Sequence, residues 1–248
     1  QVAEAQGHPG GVHAIALHSE SGRLFSAGKD GRIHLWTWPE LSLLGSLAAH
    51  SQSVNTLAIS SDGGYLVSGS QSGEIKLWDS TQGQAIQTLL SSGPSVQRLV
   101  FHPEGGVVAA ALTDGRCMLL GPSLPQAITW QAHKGSVNGL DISPDGILLA
   151  SVGDDKVIHL WRIPDGRFLR SIKGHDRIVQ SARFSPDGRF LLSASNDLSV
   201  RLWDLSANME MRNFKGHRGM VWDASFTASP DVIATISADR CLRAFRID

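Results

Sequence analysis

Cysteine is nearly missing from this chain: Cys117 and Cys241 are the only two in 248 residues. So few fit a reduced compartment, and cytoplasmic residence is the expectation, with a processed exported protein as the alternative because oxidised proteins can also carry few. Long apolar runs are absent. None approaches the ~18 residues needed to cross a bilayer, which excludes a membrane-spanning helix. Net charge is lacking as well: 22 basic and 23 acidic side chains leave −1, so no overall field recruits nucleic acid or an anionic membrane. Only a mild tilt exists, with 6 basic and 9 acidic side chains in residues 1 to 124 against 16 and 14 in residues 125 to 248. The chain opens at Gln1 with no basic-then-apolar leader ahead of it, so it is expected to be trimmed from a longer polypeptide or already processed.

The signatures of enzymes are missing too. There is no glycine-rich phosphate loop, no His-Glu-x-x-His, no paired Cys-x-x-Cys and no Gly-x-Ser-x-Gly. The expectation is therefore no catalytic residue, no cofactor and no metal. No segment shows a helical period.

What is present is a core and a repeat. Apolar residues make up 42% and charged residues 18%, which excludes a disordered chain. Trp36, Trp78, Leu120, Trp161, Trp203 and Phe245 stand 42, 42, 41, 42 and 42 residues apart, each ending a stretch such as "DGRIHLW" or "LSVRLW". Inside one unit a strand such as "IVQSARFS" runs into a turn, "SPDG" at 143–146 and 185–188, where proline presets one turn position and glycine closes it. A second strand, a short turn at Asp155 or Asp197, a third strand ending at the tryptophan and a more polar fourth strand follow. The fourth leads into a Gly-His or Ala-His pair: Gly7-His8, Ala49-His50, Ala132-His133, Gly174-His175 and Gly216-His217. Four short antiparallel strands per unit make one blade.

With its Gly-His near the start of a unit and Trp-Asp near the end, at Trp78-Asp79 and Trp203-Asp204, the chain resembles the WD-repeat family over its whole length. The resemblance implies an all-β, six-bladed propeller forming a single domain over residues 1 to 248, with a seven-bladed or larger ring as the alternative. It further implies that His, Ser or Thr, Asp and Trp form a hydrogen-bonded set inside each blade. The complete sets are His8, Ser26, Asp30 and Trp36; His133, Ser151, Asp155 and Trp161; and His175, Ser193, Asp197 and Trp203. A Ser-His-Asp catalytic reading of these residues fails because a triad needs one copy facing a cleft, and these recur. The second unit has Ser72 in the aspartate's place, the sixth has Phe245 for Trp, and the third keeps only Asp114 beside Ser92, Ala110 and Leu120.

Ring closure is expected from residues 1–7, pairing as a fourth strand beside "CLRAFRI" of the last unit. Cys117 and Cys241 then fall in opposite repeats, beyond disulfide reach.

The family's rim is built by the residues flanking the first apolar position of the first strand and by the residue before the turn aspartate. Carried over, these include Gly11, His13 and Lys29, and most are small and polar. Units five and six depart from this with Ile178, Met220 and Trp222 near Arg177 and Arg218, while Gln180 keeps the polar pattern. A large aromatic beside arginines has the composition of an interface hot spot; the alternative is that Trp222 fills the channel mouth or covers the neighbouring blade. Of the other tryptophans, Trp38 is expected under a loop and Trp130 at a rim. His34 and His159 are read as repeat positions rather than ligands.

The function implied is a non-catalytic scaffold for protein–protein contact, the sensor or adaptor domain of a larger chain. A structural subunit of a stable assembly is the alternative; a small-molecule binder or hydrolase is less favoured.

Overall fold

The computed structural model describes residues 4–229 and 231–247, and among them the only regular element is the β-strand. The first sheet contains β1 (Val12–His18), β2 (Arg23–Gly28), β3 (Arg32–Thr37) and β4 (Leu43–Ala48). The second contains β5 (Val54–Ile59), β6 (Tyr65–Ser70), β7 (Ile75–Asp79) and β8 (Gln84–Leu90), and the third β9 (Val96–Phe101), β10 (Val108–Leu112), β11 (Arg116–Leu120) and β12 (Ile128–Gln131). The fourth contains β13 (Val137–Ile142), β14 (Leu148–Gly153), β15 (Ile158–Arg162) and β16 (Arg167–Ile172), and the fifth β17 (Val179–Phe184), β18 (Phe190–Ser195), β19 (Val200–Asp204) and β20 (Met209–Phe214). The sixth has β21 (Val221–Phe226), β22 (Val232–Ser237) and β23 (Leu242–Arg246). All six are antiparallel meanders in which each strand pairs with its neighbour in sequence.

Two compact units are formed: one from residues 1–113 and 119–127, the other from 114–118 and 128–248. In the first, Phe25, Ile33, Val54, Leu57 and Leu66 share a core cluster with Trp78. In the second, Val152, Leu160, Val179 and Leu191 cluster with Trp203, and Leu192, Leu202 and Val221 form a further cluster edged by Phe245. Central strands buried on both faces read as apolar runs such as "LLASVG", whose residues are almost all buried.

The turns follow from their sequences. In "SPDG" the Ser143 hydroxyl donates to Asp145 at 2.5 Å, the Ile147 N–H donates to the same carboxylate oxygen at 3.0 Å, and Gly146 takes φ +73°, which a side chain would strain.

One expectation, for Trp38, is corrected, and the closing strand is not seen among the described residues. Residues 4–7 form no strand, residues 1–3 lie outside the described residues, and the sixth sheet has three strands among the described residues. Gly7 lies so close to the Trp36 ring that a Cβ would come within 2.7 Å, as Gly174 lies against Trp203 at 2.6 Å. Trp38 is exposed rather than covered by a loop. Trp130 is half-buried, packed against Trp161 with ring centroids 5.6 Å apart and the planes tilted by 51°. Both thiols are free: Cys117 is buried, which pushes its pKa up, while Cys241 is exposed.

The repeat also shows where cover is missing. Val54, Val137, Val179 and Val221 are fully buried, yet Val12 at the same position is 53% exposed, and Ile15 is 66% exposed where Leu140 is buried. In the last sheet Leu242 is 73% exposed, against 0% for Ile33 and Ile75 at equivalent positions.

Candidate functional site

The repeated polar residues fall into two groups. The first is internal. In the fourth sheet the Trp161 indole N–H donates to Ser151 Oγ at 2.8 Å, Ser151 Oγ lies 2.7 Å from His133 Nε2, and His133 Nδ1 lies 2.8 Å from Asp155 Oδ1. The fifth repeats this: Trp203 to Ser193 at 2.8 Å, Ser193 to His175 at 2.7 Å, His175 to Asp197 at 2.7 Å. In the first the distances are 2.8 Å from Trp36 to Ser26, 2.8 Å from Ser26 to His8 and 2.9 Å from His8 to Asp30. Because the serine accepts the indole proton and passes its own to Nε2, the ring carries its proton on Nδ1 and donates it to the carboxylate. All three hydroxyls are buried, whereas a nucleophile must meet substrate.

Burial pushes the pKa of His50 and His133 down, only partly opposed by the carboxylates beside them. Asp155 and Asp197 are held below the usual carboxylate range. Burial alone would raise them, but hydrogen bonds from their histidines and from the N–H groups of Lys134 and Asp176 outweigh it.

The second sheet departs from expectation. Ser72 bonds to Ser70 at 2.9 Å and does not replace the aspartate; Glu74 does, placing Oε2 2.7 Å from His50 Nδ1. Two positions further along, a side chain longer by one methylene reaches the same atom. In the sixth sheet His217 keeps Asp239 at 3.0 Å and Thr235 at 2.8 Å, while Phe245 has no N–H to add. In the third, Ala110 and Leu120 are buried among apolar neighbours and Asp114 pairs with Arg116 at 2.5 Å.

The second group is displayed. The first strand of every sheet carries a β-bulge, and the residue skipped by the register is His13, Asn55, Gln97, Asn138, Gln180 or Trp222. A bulge re-aims a side chain away from the ladder. The carbonyl two residues earlier accepts the N–H of the residue before the turn: Lys29 to Gly11, Gln71 to Ser53, Thr113 to Ser95, Asp154 to Ser136, Asn196 to Ile178 and Ala238 to Met220. Each bulge is thereby clamped to the residue before the turn.

In the first unit these positions line one polar cavity of about 440 Å³, with His13 and Lys29 from the first sheet, Asn55 and Gln71 from the second and Gln97 from the third. His13 lies 2.9 Å from Ser53 Oγ, and the Asn55 amide donates to Ser95 at 3.0 Å. In the second unit Asn138 donates to Asp154 and Gln180 to Asn196, both at 3.0 Å. Trp222 breaks this series: it is 53% exposed, beside exposed Met220 and Arg218, with Arg177 exposed and Ile178 half-buried on the adjoining sheet. Residue types able to hold a metal are grouped twice among the described residues, as His8, Asp30 and His34 and as His133, Asp155 and His159.

A profile of the WD domain, G-beta repeat, matches residues 1–37, 41–79, 125–162, 166–204 and 208–246. The chain belongs to the WD-repeat family. The one unit outside the match is the third, where the polar set is lost. Among WD-repeat relatives, the chain is 45% identical over 53 residues to a p21-activated protein kinase-interacting protein 1-like of Xenopus laevis, covering 21% of this chain and 15% of the relative. The same protein of Danio rerio is 43% identical over 53 residues, 21% of this chain and 14% of its own. Ribosome biogenesis protein erb1 of Emericella nidulans is 41% identical over 58 residues, 23% of this chain and 7% of its own. The chain thus spans less than a sixth of the relatives it matches. No helix of this WD-repeat chain is long and apolar enough to cross a membrane among the described residues.

Proposed function

We propose that this WD-repeat chain is a non-catalytic scaffold that binds a protein partner through the bulge residues of its fifth and sixth sheets. One observation carries the reading: the bulge position that holds a small or polar residue in five sheets holds Trp222 in the sixth, half exposed beside Met220 and Arg218. Exposed aromatics beside arginine are what interfaces use as anchors, and Arg177 and Arg218 suit a partner that offers carboxylates. The printed names of relatives, one for interacting with a kinase and one for ribosome biogenesis, support a role in assembly. Cytoplasmic residence is proposed from the two free thiols, one of them exposed.

The test is Trp222→Ala, measured against partners recovered with the intact chain. Loss of an anchor of this kind weakens binding by about 2 kcal/mol, roughly thirty-fold, and leaves the melting curve in place. Lost stability with unaltered binding refutes the assignment.

A stable-assembly reading has its own support. We infer that the six sheets are blades of a propeller, and the apolar side chains exposed on the first and last sheets, Val12, Ile15 and Leu242, suit a partner's surface laid against them. Uncovered apolar sheet faces mark interaction surfaces or aggregation liabilities.

A further inference from the structure

The two His-Asp-His groups occupy equivalent repeat positions, and in each one donor atom per residue lies within 4.8 Å of the others. They differ in what remains free. In the fourth sheet His159 Nδ1 is engaged by Ser171 Oγ at 2.8 Å, and the second oxygen of Asp155 accepts the Lys134 N–H at 3.1 Å. Asp176 and Arg218 supply the same backbone N–H to Asp197 and Asp239.

The first sheet lacks both partners. Ser46, paired across the strands with His34 as Ser171 is with His159, instead accepts from Arg32 Nε at 2.8 Å. The residue after His8 is Pro9, which has no N–H to give. Consequently Asp30 Oδ2 is buried without a hydrogen-bond partner, and His34 is buried with no side-chain partner on either ring nitrogen, the Gly7 backbone being the polar group set against it. His34 is only 7% exposed, and its ring lies 4.2 Å from that of His8, centroid to centroid. A buried carboxylate oxygen and a buried imidazole lone pair, converging with no donor between them, are what a divalent cation satisfies and what packing alone leaves unfavourable.

We propose that the first sheet carries a site for a divalent transition-metal ion of the zinc type, ligated by His34, Asp30 and His8 with water in the fourth position. The ion takes the place of the proton that His8 Nδ1 donates to Asp30 Oδ1 at 2.9 Å, and that proton moves to Nε2, which then donates to Ser26 Oγ, so the ring stays neutral. Ligand atoms of a tetrahedral zinc with bonds of about 2.0 Å stand about 3.3 Å apart, so the two side chains separate by roughly half an ångström. Ser26 on Nε2, itself held by Trp36, fixes the His8 ring as outer-shell partners do. Asp30 is the way in, its side chain being 13% exposed.

The test is zinc titration of the chelator-stripped chain against a chromophoric competitor, with cobalt(II) absorption as the spectroscopic signature. One zinc per chain is expected. The discriminating variant is His34→Lys, because Lys76 holds the equivalent position in the second sheet and donates to the Ala49 carbonyl at 2.7 Å. It preserves the apo melting temperature and abolishes uptake, whereas His159→Lys retains the metal. Pro9→Ala restores the missing N–H to Asp30 and weakens zinc about ten-fold while leaving the ligands in place. No uptake by the intact chain, uptake that survives His34→Lys, or two ions per chain overturns the proposal; should His34→Lys fail to fold, unchanged affinity in Pro9→Ala does so.

Discussion

Ser193→Ala is the sharpest test of the internal sets, because one hydroxyl serves two partners. Ser193 is fully buried, accepts from Trp203 Nε1 at 2.8 Å and pairs with His175 Nε2 at 2.7 Å. Its removal leaves an indole N–H and an imidazole nitrogen in the core with nothing to bond, and the space of one oxygen is too small for a replacing water. Each such orphan costs about 1–3 kcal/mol, so the substitution is expected to cost about 3 kcal/mol. At about 2–4 °C per kcal/mol for a chain of this size, the melting temperature falls by roughly 10 °C. Trp203→Phe removes the indole donor first, leaving one orphan for Ser193→Ala to create, so in that background the serine costs about half as much, a coupling of about 1.5 kcal/mol. Thermal and denaturant unfolding of the four proteins measure the cycle. Strict additivity, or a shift for Ser193→Ala within about 1 °C, refutes the shared-hydroxyl argument, and a hydrolytic activity that Ser193→Ala abolishes refutes the scaffolding reading altogether.

Two further outcomes follow from the same networks. Glu74→Ala strips His50 of its carboxylate and Lys76 of an ion pair at 3.2 Å, so it lowers stability by about 1–2 kcal/mol, while Ser72→Ala lowers it by no more than about 0.5 kcal/mol; the reverse order in denaturant melts contradicts the assignment of Glu74. Acid weakens the fold in two stages. His50 and His133 lie below their ordinary value in the folded chain, so the unfolded chain takes up protons first and stability present above about pH 6.5 declines as pH falls. Asp155 and Asp197, held below the carboxylate range, add a second loss below about pH 4. A denaturant midpoint that rises between pH 7 and pH 5 contradicts the sign.

The strand order and the hydrogen-bonded sets were legible in the sequence because the interval between Trp36, Trp78, Leu120, Trp161, Trp203 and Phe245 repeats nearly without drift, and each set depends on residues within one unit. The rim positions were legible as positions, although the bulge that turns His13 or Trp222 outward is a backbone event with no residue type of its own. Glu74 escaped because position-by-position reading halts at Ser72, where reach matters more than register. The free donors around His34 escaped for a related reason: His34 and His159 look identical in sequence, and only Pro9 after His8, where other units have Lys134 or Asp176, signals that a backbone N–H is gone. The uncovered faces could not be read at all. Val12 and Val54 are the same residue at the same position, yet one is 53% exposed and the other fully buried.

The third repeat shows why single substitutions in a set cost more than the loss of the whole set. There Ser92, Ala110 and Leu120 stand in for His, Ser and Trp, the last two buried with Cys117 and Leu119, and the four-stranded meander still forms. Losing His, Ser and Trp together orphans no donor, since Ala110 and Leu120 are apolar, Ser92 faces solvent and Asp114 turns to Arg116, which is nearly neutral. Removing one strands the rest. The quartets are therefore conditional on one another: a unit keeps all of its members or exchanges the interior for hydrocarbon, and intermediate cases such as the sixth sheet survive where the missing member, Trp, was the terminal donor of the chain of bonds rather than its hinge. That ordering places the serine or threonine hydroxyl at the centre of each set.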